Sequence, residues 1–199
     1  LRAYIQEDRA LPMVSLSAIV HFGGLYVPDG KEGLESLMSG TMIRGGTKTK
    51  EGTVIEERID FLGGSLGFNV GERTSTLTLA VLSKDLDEGL AMFFDVLMNP
   101  AFREGSFNLA KARAIEQLRQ ANDQPGGVLS REYEKILYGK HALTSQATKA
   151  SYERVTPADL KAVHAQYFNP KNIILTAAGD FSKAELTAKI NKIIGPWKG

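Results

Sequence analysis

Apolar and polar residues alternate in several short stretches of the chain, with the period of two that is typical of half-buried strands. Residues 13–22 place an apolar side chain at nearly every second position, and residues 1–7 are expected to pair with them. Residues 65–72 and 74–82 alternate in the same way around a short turn, which predicts an antiparallel hairpin. A last strand is predicted over residues 173–178.

Most other apolar residues recur every three to four positions, which predicts amphipathic or buried helices. These helices are predicted over residues 32–43, 54–62, 87–98, 103–121, 130–137, 157–168 and 183–194. Asn99 and Pro100 end one of them, while Thr156 and Pro157 supply the cap and first residue of another. The polar segment 144–151 is predicted to be a loop.

Strands and helices follow one another without a repeat and without strict alternation. This order predicts an α+β fold, in which a mostly antiparallel sheet of about five to six strands packs against several helices. No stretch has the composition of a flexible linker, so residues 1–199 are interpreted as a single domain.

Composition removes several classes of function. The 24 Lys and Arg residues against 23 Asp and Glu residues give a net charge of +1, so no large field of one sign attracts nucleic acid or an anionic membrane. The chain has no Cys, which excludes disulfides, thiolate nucleophiles and Cys-ligated zinc. No apolar run has the roughly 20 residues that span a bilayer. We therefore expect no nucleic-acid partner and no membrane span.

The segment 33–47, Gly-Leu-Glu-Ser-Leu-Met-Ser-Gly-Thr-Met-Ile-Arg-Gly-Gly-Thr, resembles the first motif of the pitrilysin/insulinase (M16) zinc metallopeptidases. Further segments resemble that family in order and spacing, at residues 62–66, 81–86, 99–102, 122–125, 137–141, 167–172 and 178–181. The resemblance covers nearly the whole chain. It implies the metallohydrolase-like α+β fold of one M16 half-subunit, so we expect these residues to be the first half of a longer two-domain subunit.

Active M16 peptidases carry His-x-x-Glu-His in the first motif, and a distant Glu completes a zinc site. Matching the flanking glycines puts Ser36, Ser39 and Gly40 at the positions of the first His, the general base and the second His. Counting back from residues 122–125 puts Asn108, within one residue, at the third ligand position. Because none of these side chains is a strong zinc donor, the resemblance implies a degenerate site with no metal, no cofactor and no catalytic residue.

The strand predicted over residues 65–71 corresponds in active relatives to an edge strand that receives the substrate backbone by strand addition. That interaction uses main-chain groups and survives the loss of zinc ligands. The resemblance therefore implies peptide binding at Gly67, Phe68, Asn69 and Val70, with proline at Asn69 expected to weaken it if the Asn69 N–H points outward. The alternative is an edge protected by another domain or by twist.

Other candidate groups have simpler structural explanations. The three histidines, His21, His141 and His164, have no metal-ligand spacing. We expect the acids Glu32, Glu35, Glu56 and Glu57 to be solvated on helix faces. The glycine-rich residues 63–67 join a helix to a strand, unlike phosphate-binding loops. The residues Arg131, Glu132, Tyr133 and Tyr138 form either a polar cluster or, as we prefer, a helix whose Tyr and Leu side chains face a core.

The leading hypothesis is a non-catalytic domain that helps to enclose an unfolded peptide and assembles with an active M16 zinc peptidase subunit or a second half-domain. A second hypothesis is that it contributes to peptide hydrolysis as part of a zinc protease without binding the metal. A third is a purely structural subunit. The resemblance to bacterial two-subunit relatives favours a periplasmic or secreted setting, with a cytoplasmic or organellar one left open.

Overall fold

The computed structural model describes residues 1–123, 125–139 and 144–197, apart from the side chains of residues 122 and 131. Its sheet has five strands in the order β1-β5-β2-β4-β3. The strands are β1 (Arg2–Glu7), β2 (Met13–Val20), β3 (Ser65–Val70), β4 (Ser75–Leu82) and β5 (Ile173–Gly179). Only β1 and β5 run parallel, and the other neighbours are antiparallel. The mixed, mostly antiparallel sheet confirms the predicted α+β class.

Helices account for most of the remaining described residues. They are α1 (Leu34–Thr41), α2 (Gly52–Phe61), α3 (Leu86–Met98), α4 (Glu104–Asn122), α5 (Pro125–Tyr138), α6 (Lys149–Arg154), α7 (Pro157–Tyr167) and α8 (Lys183–Ile194). Short 3₁₀ turns lie at Gly24–Tyr26, Ser83–Asp85 and Pro170–Asn172. Within the described part of the chain, no helix has the length and apolar character needed to cross a membrane.

The hydrophobic core lies between one face of the sheet and the helices. The alternating residues Val14, Leu16, Ala18 and Val20 of β2 are at most 1% exposed, because β2 is a central strand whose inner face is covered. The serines between them, such as Ser15, lie on the uncovered face. Period-two patterning therefore sets which side of the sheet receives the helices.

The hairpin predicted over residues 65–82 is present as β3 and β4, with Gly71 N donating to Thr74 O at 2.9 Å beside the turn. The predicted last strand is also present, and it lies between β1 and β2. Residues on both sides of the long helical region thus contribute to one sheet.

Two helical predictions need correction. The segment predicted as a loop ends in the first turn of α6, which begins at the capping box of Thr148 and Ser151, where each side chain binds the other residue's backbone N–H. Helix α5 begins at Pro125, earlier than predicted, and its Tyr133 and Leu137 side chains are 61% and 57% exposed instead of facing a core. Helix α5 packs chiefly on α4, and among the described residues no core lies beneath that face.

Candidate functional site

A groove of about 600 Å³ lies between α1, α2 and the edge strand β3. Buried Ile55 and Ile59 of α2 form part of its wall, and Leu66 and Phe68 of β3 form another part. The spacing of four residues puts Ile55 and Ile59 on one face of α2, and the spacing of two residues puts Leu66 and Phe68 on one face of β3. Phe68 was among the predicted peptide-binding residues, whereas Ile55 and Ile59 were absent from the sequence-based site prediction, although their spacing marks them as one helix face.

Helix α1 brings Ser39 and Gly40 to the groove, while Ser36 is exposed one turn earlier. The Ser39 Oγ donates a hydrogen bond to the backbone oxygen of Phe68 at 3.3 Å. Burial raises the Tyr152 pKa above its ordinary value, and the neighbouring Ser36 hydroxyl partly offsets that rise. Of the positions predicted to correspond to the His-x-x-Glu-His motif, Ser39 is therefore bonded to β3, Ser36 is exposed and Gly40 has no side chain.

Helix α4 packs closely on α1 at Gly40. A Cβ atom at Gly40 would lie 3.2 Å from the Ala110 Cβ, so the missing side chain allows the close approach of the two helices. Asn108 is exposed on α4, and the α4 residue that faces Gly40 is Ala110. Asn108 and Ala110 are two residues apart, which corresponds to a rotation of about 200° around the helix axis. Asn108 therefore lies on a different side of α4 from Ala110. The assignment of Asn108 to the third ligand position remains a prediction.

These side chains do not fit a zinc ion. Zinc sites in proteins use imidazole, thiolate or carboxylate donors in tetrahedral geometry, whereas the residues at this end of α1 and on the facing turn of α4 are Ser39, Gly40 and Ala110. In residues 1–123, 125–139 and 144–197, no group of three or more His, Asp or Glu side chains has a metal-binding arrangement. The groove is thus lined by the carboxylates of Glu56 and Asp60, but it holds no group of three donors among the described residues that could bind a metal ion.

The expectation that Glu35 is solvated is wrong. Glu35, in the first turn of α1, is half-buried, and its Oε2 accepts a hydrogen bond from Gly33 N at 3.1 Å. Burial raises the Glu35 pKa above its ordinary value, and backbone hydrogen bonds partly offset that rise. Gly33 has φ +97°, and a Cβ there would overlap the Tyr152 ring. Tyr152 and Gly33 thus hold the start of α1 in place.

The remaining acids and histidines are distributed as follows. Glu56 and Glu57 are exposed, as expected, whereas Glu32 is half-buried and accepts a hydrogen bond from Gly30 N at 2.9 Å. His164 is bonded through Nε2 to Leu97 O at 2.9 Å. His21 is exposed just after β2. His141 lies outside the described residues.

The edge strand β3 is hydrogen-bonded to β4 only. The bond from Gly71 N to Thr74 O makes those two residues a hydrogen-bonded pair, and such pairs alternate along an antiparallel ladder. Asn69 and Gly67 therefore bond to β4, whereas Leu66, Phe68 and Val70 direct their N–H and C=O groups away from it. The bond from Ser39 to Phe68 O agrees with this register. Proline at Asn69 would consequently remove a ladder bond and not an outward N–H.

A mixed sheet with helices on one face and a groove beside its edge strand is the architecture of an M16-type α+β domain. Sequence models match residues 2–151 to the insulinase family (peptidase family M16) and residues 154–199 to the peptidase M16 inactive domain. The chain therefore belongs to the M16 family, as its motifs predicted.

Individual relatives are distant but extend along most of the chain. An uncharacterized zinc protease of Rickettsia bellii is 23% identical over 185 residues, which cover 90% of this chain and 44% of the relative. A peptidase M16 inactive domain from Pseudomonas fluorescens has a TM-score of 0.88 at 25% identity, covering 97% of this chain and 47% of that one.

The fold is also shared with the periplasmic protease PqqL of Escherichia coli, with a TM-score of 0.84 at 17% identity. The match covers 98% of this chain and 22% of PqqL. The chain thus spans about half the length, or less, of the proteins it resembles.

Proposed function

We propose that this chain is a non-catalytic M16-type domain that holds an extended peptide by adding it as a strand to β3. The observation that carries the proposal is the row of outward backbone groups at Leu66, Phe68 and Val70, which lies at the sheet edge beside the groove. Strand addition draws its affinity from main-chain hydrogen bonds, so it needs neither zinc nor a general base.

The side chains of β3 and its outward backbone groups have different roles in this proposal. The side chains of Leu66, Phe68 and Val70 pack against the core, which keeps the strand straight and anchored. Their backbone groups face the sheet edge, where Phe68 O accepts a hydrogen bond from Ser39 Oγ. Gly67 and Asn69, the other predicted binding residues, hold β3 in register with β4 and leave little bulk on the opposite face.

The experiment compares Leu66→Pro with Leu66→Ala in the full chain. Both variants lose the same side-chain packing, but only proline removes the outward N–H. We expect the proline variant to bind a fluorescein-labelled unfolded peptide roughly fivefold more weakly than the alanine variant, since one hydrogen bond contributes about 1 kcal/mol. Equal affinities of the two variants, with both folded by circular dichroism, would contradict strand addition at β3.

We further propose that the peptide-holding domain works with a second half-domain or with an active M16 zinc peptidase subunit, in a periplasmic setting. The coverage of 44% and 47% of two relatives supports a partner of similar size, and the fold shared with a periplasmic protease supports the compartment. Co-expression with a neighbouring M16 subunit carrying an intact zinc motif, followed by size-exclusion chromatography with light scattering, tests the assembly.

A further inference from the structure

One outward backbone oxygen of β3 already has a hydrogen-bond donor within the chain. The strand directs three carbonyl groups to its outer edge, at Leu66, Phe68 and Val70. The Oγ of Ser39, a partly buried residue of α1, donates to the middle one, Phe68 O, at 3.3 Å. A peptide N–H that arrives at this oxygen displaces or shares a protein hydrogen bond, whereas at a free oxygen it displaces only water.

The packing of α1 keeps the Ser39 hydroxyl beside β3. Leu37 and Met38, which precede Ser39, are 0% exposed. Gly40, which follows it, lies so close to α4 that a Cβ there would be 3.2 Å from the Ala110 Cβ. A helix packed this closely on both sides does not shift as a body. Release of Phe68 O therefore requires only rotation of the Ser39 side chain.

The rotated hydroxyl has a second acceptor on its own helix. Thr41, two residues further along α1, donates from Oγ1 to Leu37 O at 2.6 Å, four residues earlier. Ser and Thr side chains in helices commonly bond to the carbonyl at that spacing. The corresponding acceptor for Ser39 is Glu35 O. Because the hydroxyl is satisfied in either position, the bond to Phe68 O is released at low cost.

From this geometry we infer that Ser39 is a latch on the edge strand: it holds Phe68 O in the free chain and releases it when a peptide strand is added. A latched edge is also less exposed to unwanted pairing with other chains. Ser39 is a positioning residue in this role, because it acts through β3. The inference rests on the proposed strand addition and concerns how that addition is controlled.

The test measures the affinity of the full chain for the fluorescein-labelled unfolded peptide by fluorescence anisotropy. The bond to Phe68 O is longer than the roughly 2.8 Å usual between two oxygens, so its contribution is at the weak end of the range. We expect Ser39→Ala to bind the peptide about threefold more tightly than the unmodified chain. Ser36→Ala is the matched control on an exposed residue of the same helix and should leave the affinity unchanged.

A second variant separates the lost hydrogen bond from the lost volume. Ser39→Cys keeps a side chain of similar size, but its S–H is a weak donor. In reducing buffer it should also tighten binding. Tightening by Ser39→Ala alone would assign the effect to added space and overturn the inference. The carbonyl carbon resonance of Phe68 should shift in both variants, and an unchanged resonance would show that the bond is not formed in solution.

The outcomes separate the latch from the function on which it rests. If Leu66→Pro binds more weakly than Leu66→Ala but Ser39→Ala does not tighten binding, strand addition holds and the latch is wrong. If Ser39→Ala tightens binding while the two Leu66 variants bind equally, the peptide lies elsewhere and both are wrong. Absence of any binding overturns both as well. Tighter binding by both Ser39 variants, together with the Leu66 difference, supports the latch.

Discussion

The two edges of the sheet, β1 and β3, differ in what surrounds an otherwise similar row of backbone groups. Each edge strand borders a depression of comparable size, about 540 Å³ at β1 and about 600 Å³ at β3. The depression at β1 lies on the uncovered face of the sheet, with Ser15, Ser17 and Thr176 in its wall. The groove at β3 lies on the helix side, with Ile55 and Ile59 in its wall.

An unpaired sheet edge is therefore a candidate peptide-binding site only where a layer of helices adds apolar walls beside it. In β1, all side chains except the half-buried Ile5 are exposed, and the strand carries charges at Arg2 and Glu7. Charged, solvated edges resist strand addition. In β3, by contrast, Leu66, Phe68 and Val70 pack on the core while their backbone faces outward. The following predictions test this contrast through stability.

The largest effect is expected at a glycine beside the β1 edge. Gly179 pairs with Glu7, has φ +137°, and would bring a Cβ into overlap with the Met13 carbonyl oxygen. Gly179→Ala should lower the free energy of unfolding by about 3 kcal/mol. Gly63, just before β3, has φ +62° but open space around it, so Gly63→Ala should lower it by about 1 kcal/mol. Urea unfolding measures both, and equal losses would contradict the difference in the space around the two glycines.

Stability should also depend on pH through a stack behind β3. Phe68 packs on Phe168 with ring centroids 6.1 Å apart, and His164 stacks on Phe168 at 4.7 Å. Burial lowers the His164 pKa to about 4 from the ordinary 6.5. Because the unfolded chain binds this proton more readily, stability is lost as the pH falls from 6.5 toward 4, by about 3 kcal/mol in total.

The measurement is urea unfolding at pH 7 and pH 4, compared between the chain and His164→Gln. The difference between the two proteins should shrink or reverse at the lower pH, because glutamine does not titrate. His21→Gln, at an exposed histidine, is the control and should follow the unmodified chain at both values. A parallel pH dependence of the chain and His164→Gln would show that His164 does not titrate as proposed.

Aromatic residues on the two edges should contribute unequally to stability. Phe68→Ala should cost about 2 kcal/mol, since the ring is half-buried and packs on the core. Tyr4→Ala on β1 should cost less than about 0.5 kcal/mol, because Tyr4 is 62% exposed. Thermal or urea unfolding compares the two variants. A larger loss for Tyr4→Ala would mean that β1 is the better anchored edge.

The smallest effect is expected where α1 touches β3. Ser39→Ala removes the 3.3 Å hydrogen bond to Phe68 O and should lower the free energy of unfolding by about 0.5 kcal/mol. Ser36→Ala is a comparison at an exposed residue on the same helix. If Ser39→Ala also left peptide affinity reduced more than threefold, Ser39 would contact the peptide directly instead of β3 alone.

Local sequence signals predicted most elements, and the errors arose where long-range packing decides. The hairpin of β3 and β4 follows from alternation within adjacent residues. Helix α6 was missed because its stability depends on Tyr152 packing against Gly33, which lies far away in the chain. Glu35 was expected in solvent for the same reason. Helix α5 was expected to pack its Tyr and Leu side chains on a core, but Tyr133 and Leu137 are exposed.

The sequence by itself determined the M16 family, the α+β class, and the absence of imidazole and carboxylate groups at Ser36, Ser39 and Gly40. Those conclusions depend on residue identity and spacing, which are read directly along the chain. Only the tertiary structure decided that β5 enters between β1 and β2, that the Asn69 N–H faces β4 and not the outer edge, and that Ala110 faces Gly40. Strand order and helix rotation arise from burying apolar faces against distant residues, and a local pattern specifies which face is buried but not its partner.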